Sequence, residues 1–444
     1  MSPISYTAGI YTLGCKVNQY ESEAIAEALM GEGVRVLPPT EICDAYIINT
    51  CTVTAESDRK ARQFIRRAIS RNPYAVIVVT GCLAQTSPDT LRAIAGVHAI
   101  VGNAEKMQAA SEALRLLRQS ERPTEPACSV SDIASAPFEP MAITTFERTR
   151  AYIKIEDGCE SRCTYCIIPS ARGPIRSKPL CDVINEVRVL TDGGCREVVL
   201  TGIETASWGK DLPEGNLATL LEAVDRIDGI GRVRLGSLDP SLIRPAFVEK
   251  IASLSSLAPH FHLSLQSGSS RILAKMKRKY NAEQAMRAIT LLRESIPTVQ
   301  FTTDVIVGFP GETDEDFAET LDFVRRARFL NVHVFPYSKR AGTPAATMPD
   351  QVPADIKSER LHILSDEVSK IRAALLQEMV ANTPTVSVLF ESMEKGLAFG
   401  HTANFVEVAI PSDRPLHGEI ATVRLLRADD TRCYGEWITL NEHA

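Results

Sequence analysis

The chain predicts a multidomain α/β protein: an N-terminal parallel α/β sheet domain, a central partial (β/α)6 barrel and a small C-terminal all-β barrel. Three observations carry that prediction. Short apolar runs alternate with helical patterns through the first hundred residues. The alternation resumes after residue 150 in six longer units, which fit an open partial barrel, with a flat parallel sheet as the alternative that spacing alone allows. Beyond residue 383 it gives way to short strands separated by Gly, Pro and Asp.

Taken in order, residues 9–13 form an apolar strand, 21–30 an amphipathic helix, and 45–49 and 75–80 two further strands, each followed by a helical segment. Residues 118–140, rich in Pro, Ser, Ala and Glu, lack periodicity and read as a linker. Strands are expected at 151–155, 197–201, 232–237, 260–265, 300–307 and 331–335, with helical patterns between them. A long amphipathic helix over 355–379 precedes the last strands, which run to residue 440. The expected divisions are 1–117, a linker at 118–144, 145–380 and 381–444.

Bulk properties narrow the class. A length of 444 residues supports two or three domains and a large core. No apolar run approaches the roughly 18 residues that span a bilayer, and the N-terminus lacks the basic-then-apolar pattern of a secretory signal. A cytoplasmic protein with no membrane partner is expected. Eleven cysteines are then many, because a reducing compartment disfavours structural disulfides and points clustered thiols to metal or catalysis. The net charge of −6 gives no general support to a nucleic-acid partner, but Arg59, Lys60, Arg62, Arg66, Arg67 and Arg71 form a basic run, as do Lys275, Lys277, Arg278 and Lys279. A solvated surface accounts for either run equally well.

Cys159, Cys163 and Cys166 stand at C-x3-C-x2-C spacing, directly after the first strand of the six-unit repeat. That loop is where barrel enzymes place their chemistry. Thiolates suit zinc or iron–sulfur clusters, and a structural zinc site closes its shell with four ligands. No fourth Cys or His follows until Cys181. Three thiolates on a four-iron cubane leave one iron open to chelate a substrate; a partial zinc knuckle is the competing reading. Cys15, Cys51 and Cys82 each follow a predicted parallel strand by one to three residues, so their loops share one sheet edge. Burial as small apolar side chains is the plain alternative. Cys43, Cys128, Cys181, Cys195 and Cys433 lack such placement and read as inert thiols.

The spacing at 159–166 resembles the radical S-adenosylmethionine superfamily, whose six-unit partial barrel matches the repeat. The resemblance implies contacts to S-adenosylmethionine from Gly202 and Glu204 in TGIET, Asp239, Gln266, Arg278 and Asp304. The segments TLGCKVN, INTCTVT and TGCLAQ resemble the N-terminal domain of methylthiotransferases, and the likeness extends through a TRAM-like C-terminal barrel. Ala206 departs from it, standing where a glycine is often found. That family implies two 4Fe-4S clusters, the second on Cys15, Cys51 and Cys82, with two S-adenosylmethionine equivalents used per methylthio group. It also implies a flavodoxin- or ferredoxin-like electron donor and no DNA partner.

TLGCKVN at 12–18 and HVFPYSKRAGTPAATM at 333–348 resemble the branch that methylthiolates carbon 2 of threonylcarbamoyladenosine beside the tRNA anticodon. The isopentenyladenosine branch more often shows Gln-Met after its first cysteine, where this chain has Lys16-Val17. That branch, and one acting on a ribosomal-protein aspartate, remain the alternatives. Binding a tRNA anticodon stem-loop means gripping unpaired bases, and Arg172, Arg176, Lys339 and Arg340 are candidate RNA contacts. Phe405, Tyr434 and Trp437 could stack on bases or fill the small barrel. Against a basic RNA module, residues 381–444 carry five Lys/Arg and nine Asp/Glu.

Overall fold

Six parallel strands open the chain, in the spatial order Arg35–Leu37, Thr7–Thr12, Ala45–Thr50, Val76–Gly81, Ala99–Val101, Ala127–Ser129. They belong to a computed structural model that describes residues 6–146, 148–213 and 215–438. The two central strands are buried along their whole length, which is why they read as unbroken apolar runs. The sixth strand lies inside the stretch read as a linker. Three residues are too few to show a period, so composition alone hid it. Met141 and Ile143 from the same stretch are buried in the barrel core, so this connection is packed structure.

The helix Lys16–Gly31 begins five residues earlier than its periodicity suggested, with Cys15 at its N-cap. It serves two cores at once. Tyr20 and Ala24 join the central core, whereas Ile25 and Leu29 join the N-terminal one. It packs along Ala151–Lys154, an edge strand at the open side of the central barrel.

The central strands lie in sequence order and are all parallel: Ala151–Lys154, Glu197–Thr201, Arg232–Leu235 continuing as Ser237–Leu238, His260–Gln266, Gln300–Val307 and Asn331–Pro336. The break at Gly236 splits the barrel wall into three- and four-stranded halves. Apolar residues of each strand pack outward on the helices, as Phe261, Leu263, Leu265, Phe301 and Val305 do. Strand alternation then turns His262, Ser264, Gln266, Asp304, His333 and Phe335 to the lumen. Polar side chains from otherwise apolar strands therefore line the lumen.

The helix Ala354–Asn382 leads to a closed five-stranded barrel, ordered Thr385–Glu394, Leu397–Thr402, Glu407–Pro411, Cys433–Trp437, Ile420–Ala428. Residues 439 and 440 of the expected last strand lie outside the described residues. Phe405, a candidate base-stacking residue, is committed elsewhere. It stacks on His260 and His401, with the Arg234 guanidinium 4.7 Å from its ring centre. Arg232 donates to the Ser387 carbonyl at 2.8 Å, and Arg150 pairs with Glu391. The small barrel is therefore docked at the N-terminal ends of the central strands, opposite the cysteine loops.

Candidate active site

Cys15, Cys51 and Cys82 follow the strands Thr7–Thr12, Ala45–Thr50 and Val76–Gly81. Adjacent parallel strands deliver their loops to one edge, and the loops touch. A Cβ placed on Gly14 would lie 3.0 Å from Cys51 Sγ. Thr50 Oγ1 donates to the Thr80 carbonyl at 2.6 Å and accepts from the Leu83 N–H at 3.2 Å, tying the second loop to the third. The thiols sense one another: burial pushes Cys51 up to about 11, and Cys82 and Cys15 add to the rise. Cys15 keeps accessible surface although protein surrounds it, as the wall of a recess does.

Cys159, Cys163 and Cys166 form one turn after the first barrel strand, with the Cys166 N–H donating to the Cys163 carbonyl at 3.1 Å. Burial, then the facing Glu204 carboxylate, pushes the Cys159 thiol up to about 12. That thiol donates to Glu204 at 3.1 Å, and a metal would have to displace its proton. Burial likewise lifts Cys166 to about 11. Arg278 lies across this turn, donating to Cys163 Sγ at 3.2 Å, to Asp239 at 2.9 Å and to the Ser264 carbonyl at 2.9 Å.

Gly158 fixes where the turn starts. Its φ is +86°, and a Cβ there would overlap the Pro174 carbonyl oxygen. Gly158→Ala is expected to cost about 2 kcal/mol or more and to lower iron uptake at the 159–166 turn. Parallel denaturation and iron analysis check this, and an alanine variant with unchanged midpoint and iron would contradict the packing just described.

Of the residues expected to meet S-adenosylmethionine, Glu204, Asp239 and Arg278 gather at these three cysteines, and Gly202 lies beside them. Glu156 occupies the space a Cβ on Gly202 would need, and its carboxylate accepts the Glu204 N–H at 2.7 Å. Burial holds the Glu156 carboxyl well above the usual carboxylate range. Sequence reading passed over Glu156, although its place at the strand end just before the cysteines was a usable signal. Gln266 has a φ of +72° where the strand register shifts. Asp304 belongs to a different group: its Oδ2 lies 3.3 Å from His262 Nε2, and His333 completes a trio whose ligand atoms all lie within 4.8 Å of one another.

Between the two cysteine sets lies a buried ionic network. Glu21 pairs with Lys106, Lys154 and Arg172, and Asp157 pairs with Lys154, Arg172 and Arg176. Burial raises Glu21, but Arg172, Lys106 and Lys154 together outweigh it and hold its carboxyl well below the usual range. Four cations share two carboxylates here. Burial raises the Cys15 thiol, and Arg172 opposes that rise.

This network corrects the RNA candidates. Arg172 is fully buried and bonded to Glu21, Asp157 and Asn18, so it cannot touch a phosphate. Arg176 is buried and donates to the Arg172 carbonyl at 2.7 Å. Arg340 is bound to Asp58 and Thr52, where it ties the 333–348 loop to the N-terminal domain. Lys339 alone of the four stays exposed. Arg59, Lys60, Arg66 and Arg67 are exposed on the helix Ala55–Arg71, just past Cys51. The second basic run disperses, because Arg278 turns inward and Lys279 pairs with Glu204 at 3.1 Å.

Both cysteine sets fit an iron–sulfur cluster by donor chemistry. Each offers three soft thiols in touching loops, beside cations able to offset thiolate charge. The other five cysteines stand apart from both sets in the chain: Cys43, Cys195 and Cys433 are buried, and Cys128 and Cys181 are exposed.

Residues 153–324 match the Radical SAM superfamily, and residues 7–102 match the family described as Uncharacterized protein family UPF0004. The threonylcarbamoyladenosine tRNA methylthiotransferase MtaB of Bacillus subtilis (strain 168) is 40% identical over 98% of this chain and 97% of its own length. The tRNA-2-methylthio-N(6)-dimethylallyladenosine synthase of Moorella thermoacetica is 36% identical over 97% of this chain and 98% of its own. Among solved structures, the radical S-adenosylmethionine methyltransferase TsrM from Kitasatospora setae, with cobalamin and a 4Fe-4S cluster bound, aligns with a TM-score of 0.55. That alignment covers 89% of this chain and 81% of the other at 16% identity, a likeness of fold.

Proposed function

We propose a substrate and a division of labour from one premise: this chain belongs to the MtaB-like radical S-adenosylmethionine methylthiotransferase family and is a tRNA-modifying enzyme. Its substrate is N6-threonylcarbamoyladenosine next to the anticodon, and the product carries a methylthio group at carbon 2. The observation that carries this reading is the meeting of the Cys15, Cys51 and Cys82 loops beside the open side of a barrel that bears a second three-cysteine turn. Relatives named for the same nucleoside support it.

Two 4Fe-4S clusters, one on Cys159, Cys163 and Cys166 and one on Cys15, Cys51 and Cys82, with two S-adenosylmethionine equivalents, would supply the radical and the sulfur. The chain's own residues do the positioning. Arg278 and Asp239 brace the 159–166 turn, and Glu204 with Lys279 caps its outer side. The Glu21–Arg172 network fixes the two cysteine sets relative to each other. The small barrel closes the lumen from below and keeps water out. The working units are 1–117 for the second cluster, 145–380 for the radical barrel and 381–444 for the docked barrel.

RNA would lie on Lys339 and the exposed arginines of Ala55–Arg71, with the acidic small barrel in a docking role. An electron donor of flavodoxin or ferredoxin type completes the cycle. Among the described residues no helix is long and apolar enough to cross a membrane; a tRNA substrate puts the reaction in the cytoplasm.

The test uses anaerobically reconstituted enzyme with reductant, S-adenosylmethionine and a threonylcarbamoyl-modified anticodon stem-loop, followed by nucleoside mass analysis. A methylthio mass gain on that nucleoside, and not on an isopentenyl-modified one, is the expected result. A gain on the isopentenyl nucleoside alone would reassign the substrate.

A further inference from the structure

The lumen holds a polar group that the radical chemistry leaves without a task. His262, Asp304 and His333 sit on three consecutive strands, with their ligand atoms within 4.8 Å of one another. His262 is oriented from both ends: its Nδ1 meets Thr302 Oγ1 at 2.9 Å, and its Nε2 faces Asp304 at 3.3 Å. Phe335, on the same face two residues beyond His333, is half-exposed and gives the group an apolar neighbour.

Lys16 joins them from the other domain. It follows Cys15 directly, on the helix that packs along the open side of the barrel. Its ammonium lies within electrostatic reach of Arg234, Arg150 and Asp304, and His333 and His260 feel its charge. Among the described residues Lys16 has no hydrogen bond or ion pair, and it keeps accessible surface within this enclosed space. Arg234, also on the lumen face, is 3% exposed, and its Nη1 has no hydrogen-bond partner. Arg234 and Arg150 are both paired with Glu197 at 2.9 Å, so among the described residues the cation left without an ion pair beside the His–Asp–His group is Lys16.

We propose that Lys16, His262, Asp304 and His333 form the subsite for the threonylcarbamoyl side chain, with Lys16 pairing its carboxylate and the His–Asp–His group taking its hydroxyl and amide hydrogens. The inference rests on the threonylcarbamoyladenosine reading and names the residues that enforce it. An anionic substituent bearing hydroxyl and N–H groups satisfies every member of the set. An isopentenyl group would leave Lys16 desolvated without a counter-charge, and would offer no hydrogen-bond partner to His333 or to the free oxygen of Asp304. Such a mismatch is far costlier than a missing methylene, because buried polar groups lose their water without gaining partners. Lys16 also stands one residue from Cys15, so the group that recognises the side chain is covalently adjacent to the proposed sulfur-bearing cluster.

The test compares two anticodon stem-loops, one with the natural threonyl carboxylate and one with that carboxylate as a neutral carboxamide. Wild-type enzyme is expected to lose about 30-fold or more in kcat/KM on the carboxamide, chiefly through KM. In Lys16→Gln the natural substrate falls to the carboxamide's level and the two become equal within about 3-fold, whereas Lys16→Arg restores most of the difference. Iron content and RNA-independent cleavage of S-adenosylmethionine report whether each variant keeps its clusters. His333→Phe should weaken both substrates alike and leave iron unchanged. Discrimination that survives in Lys16→Gln, or a wild type indifferent to the carboxamide, overturns the subsite and leaves the substrate reading intact. A wild type with no methylthio product on either RNA overturns both. A divalent metal retained at the His–Asp–His group in iron-replete enzyme, and lost in His333→Phe, would also overturn the subsite.

Discussion

Cys159→Ala and Cys51→Ala are expected to give opposite halves of one phenotype. Each variant should retain about four of about eight irons per chain, since each removes a ligand from one three-thiol set. Cys159→Ala should lose cleavage of S-adenosylmethionine to 5′-deoxyadenosine by about a thousandfold or more and make no modified nucleoside. Cys51→Ala should still cleave it while failing to form the methylthio product. The asymmetry follows from placement: Cys159 bonds Glu204 in a turn that Arg278 braces through Cys163, whereas Cys51 lies at the edge of the N-terminal sheet beside Gly14. Iron analysis, product chromatography and nucleoside mass analysis on the same preparations decide the matter. A Cys51→Ala enzyme with full iron and normal product would remove the N-terminal thiols from the reaction.

The largest stability effect is expected at Glu21. Its carboxylate is 1% exposed and is paired with Lys106, Lys154 and Arg172, all buried. Glu21→Gln keeps the shape and deletes the charge, leaving Lys106 with no paired carboxylate and Lys154 and Arg172 with Asp157 alone. Removing one partner from a buried ion network costs about 3–5 kcal/mol, because the remaining charges stay desolvated. The loss should appear as an earlier denaturant midpoint for the transition that includes both domains, since Glu21 joins them.

Its pH signature is equally defined. The folded pKa of Glu21 lies below the unfolded value near 4.5, so its contribution is fully present above that pH and declines as pH falls toward the folded value. The stability gap between wild type and Glu21→Gln should therefore narrow below about pH 4.5. A midpoint shift equivalent to less than about 1 kcal/mol at neutral pH would mean that water, not Glu21, solvates these cations.

How far the site could be read in advance depended on the range of the interactions involved. The six cysteines could be singled out because their signals are local: Cys159, Cys163 and Cys166 by their mutual spacing, and Cys15, Cys51 and Cys82 because a thiol one to three residues past a parallel strand lies at the sheet edge wherever that strand sits. Glu204, Asp239 and Arg278 were expected from the family resemblance, the first two also from their position at strand ends. Arg172 and Arg176 failed because a basic side chain in isolation looks the same whether it meets phosphate or a buried carboxylate. The carboxylate that claims Arg172 is 151 residues away. Phe405 failed for the same reason: besides His401 of its own barrel, the His260 ring and the Arg234 guanidinium around it come from the central barrel.

By itself, then, the sequence determined the order of domains, the alternation that makes the two parallel sheets, and the two sets of three thiols. Each of these is written in periods of two or 3.6 residues, or in loop residues adjacent to them. Only the tertiary structure decided which charges are solvated, that one helix from Lys16 to Gly31 belongs to two cores, and that Lys16 comes within electrostatic reach of Asp304 and His333. Charge pairing and desolvation depend on partners that meet only when distant segments pack, and no local pattern in a chain records who those partners will be.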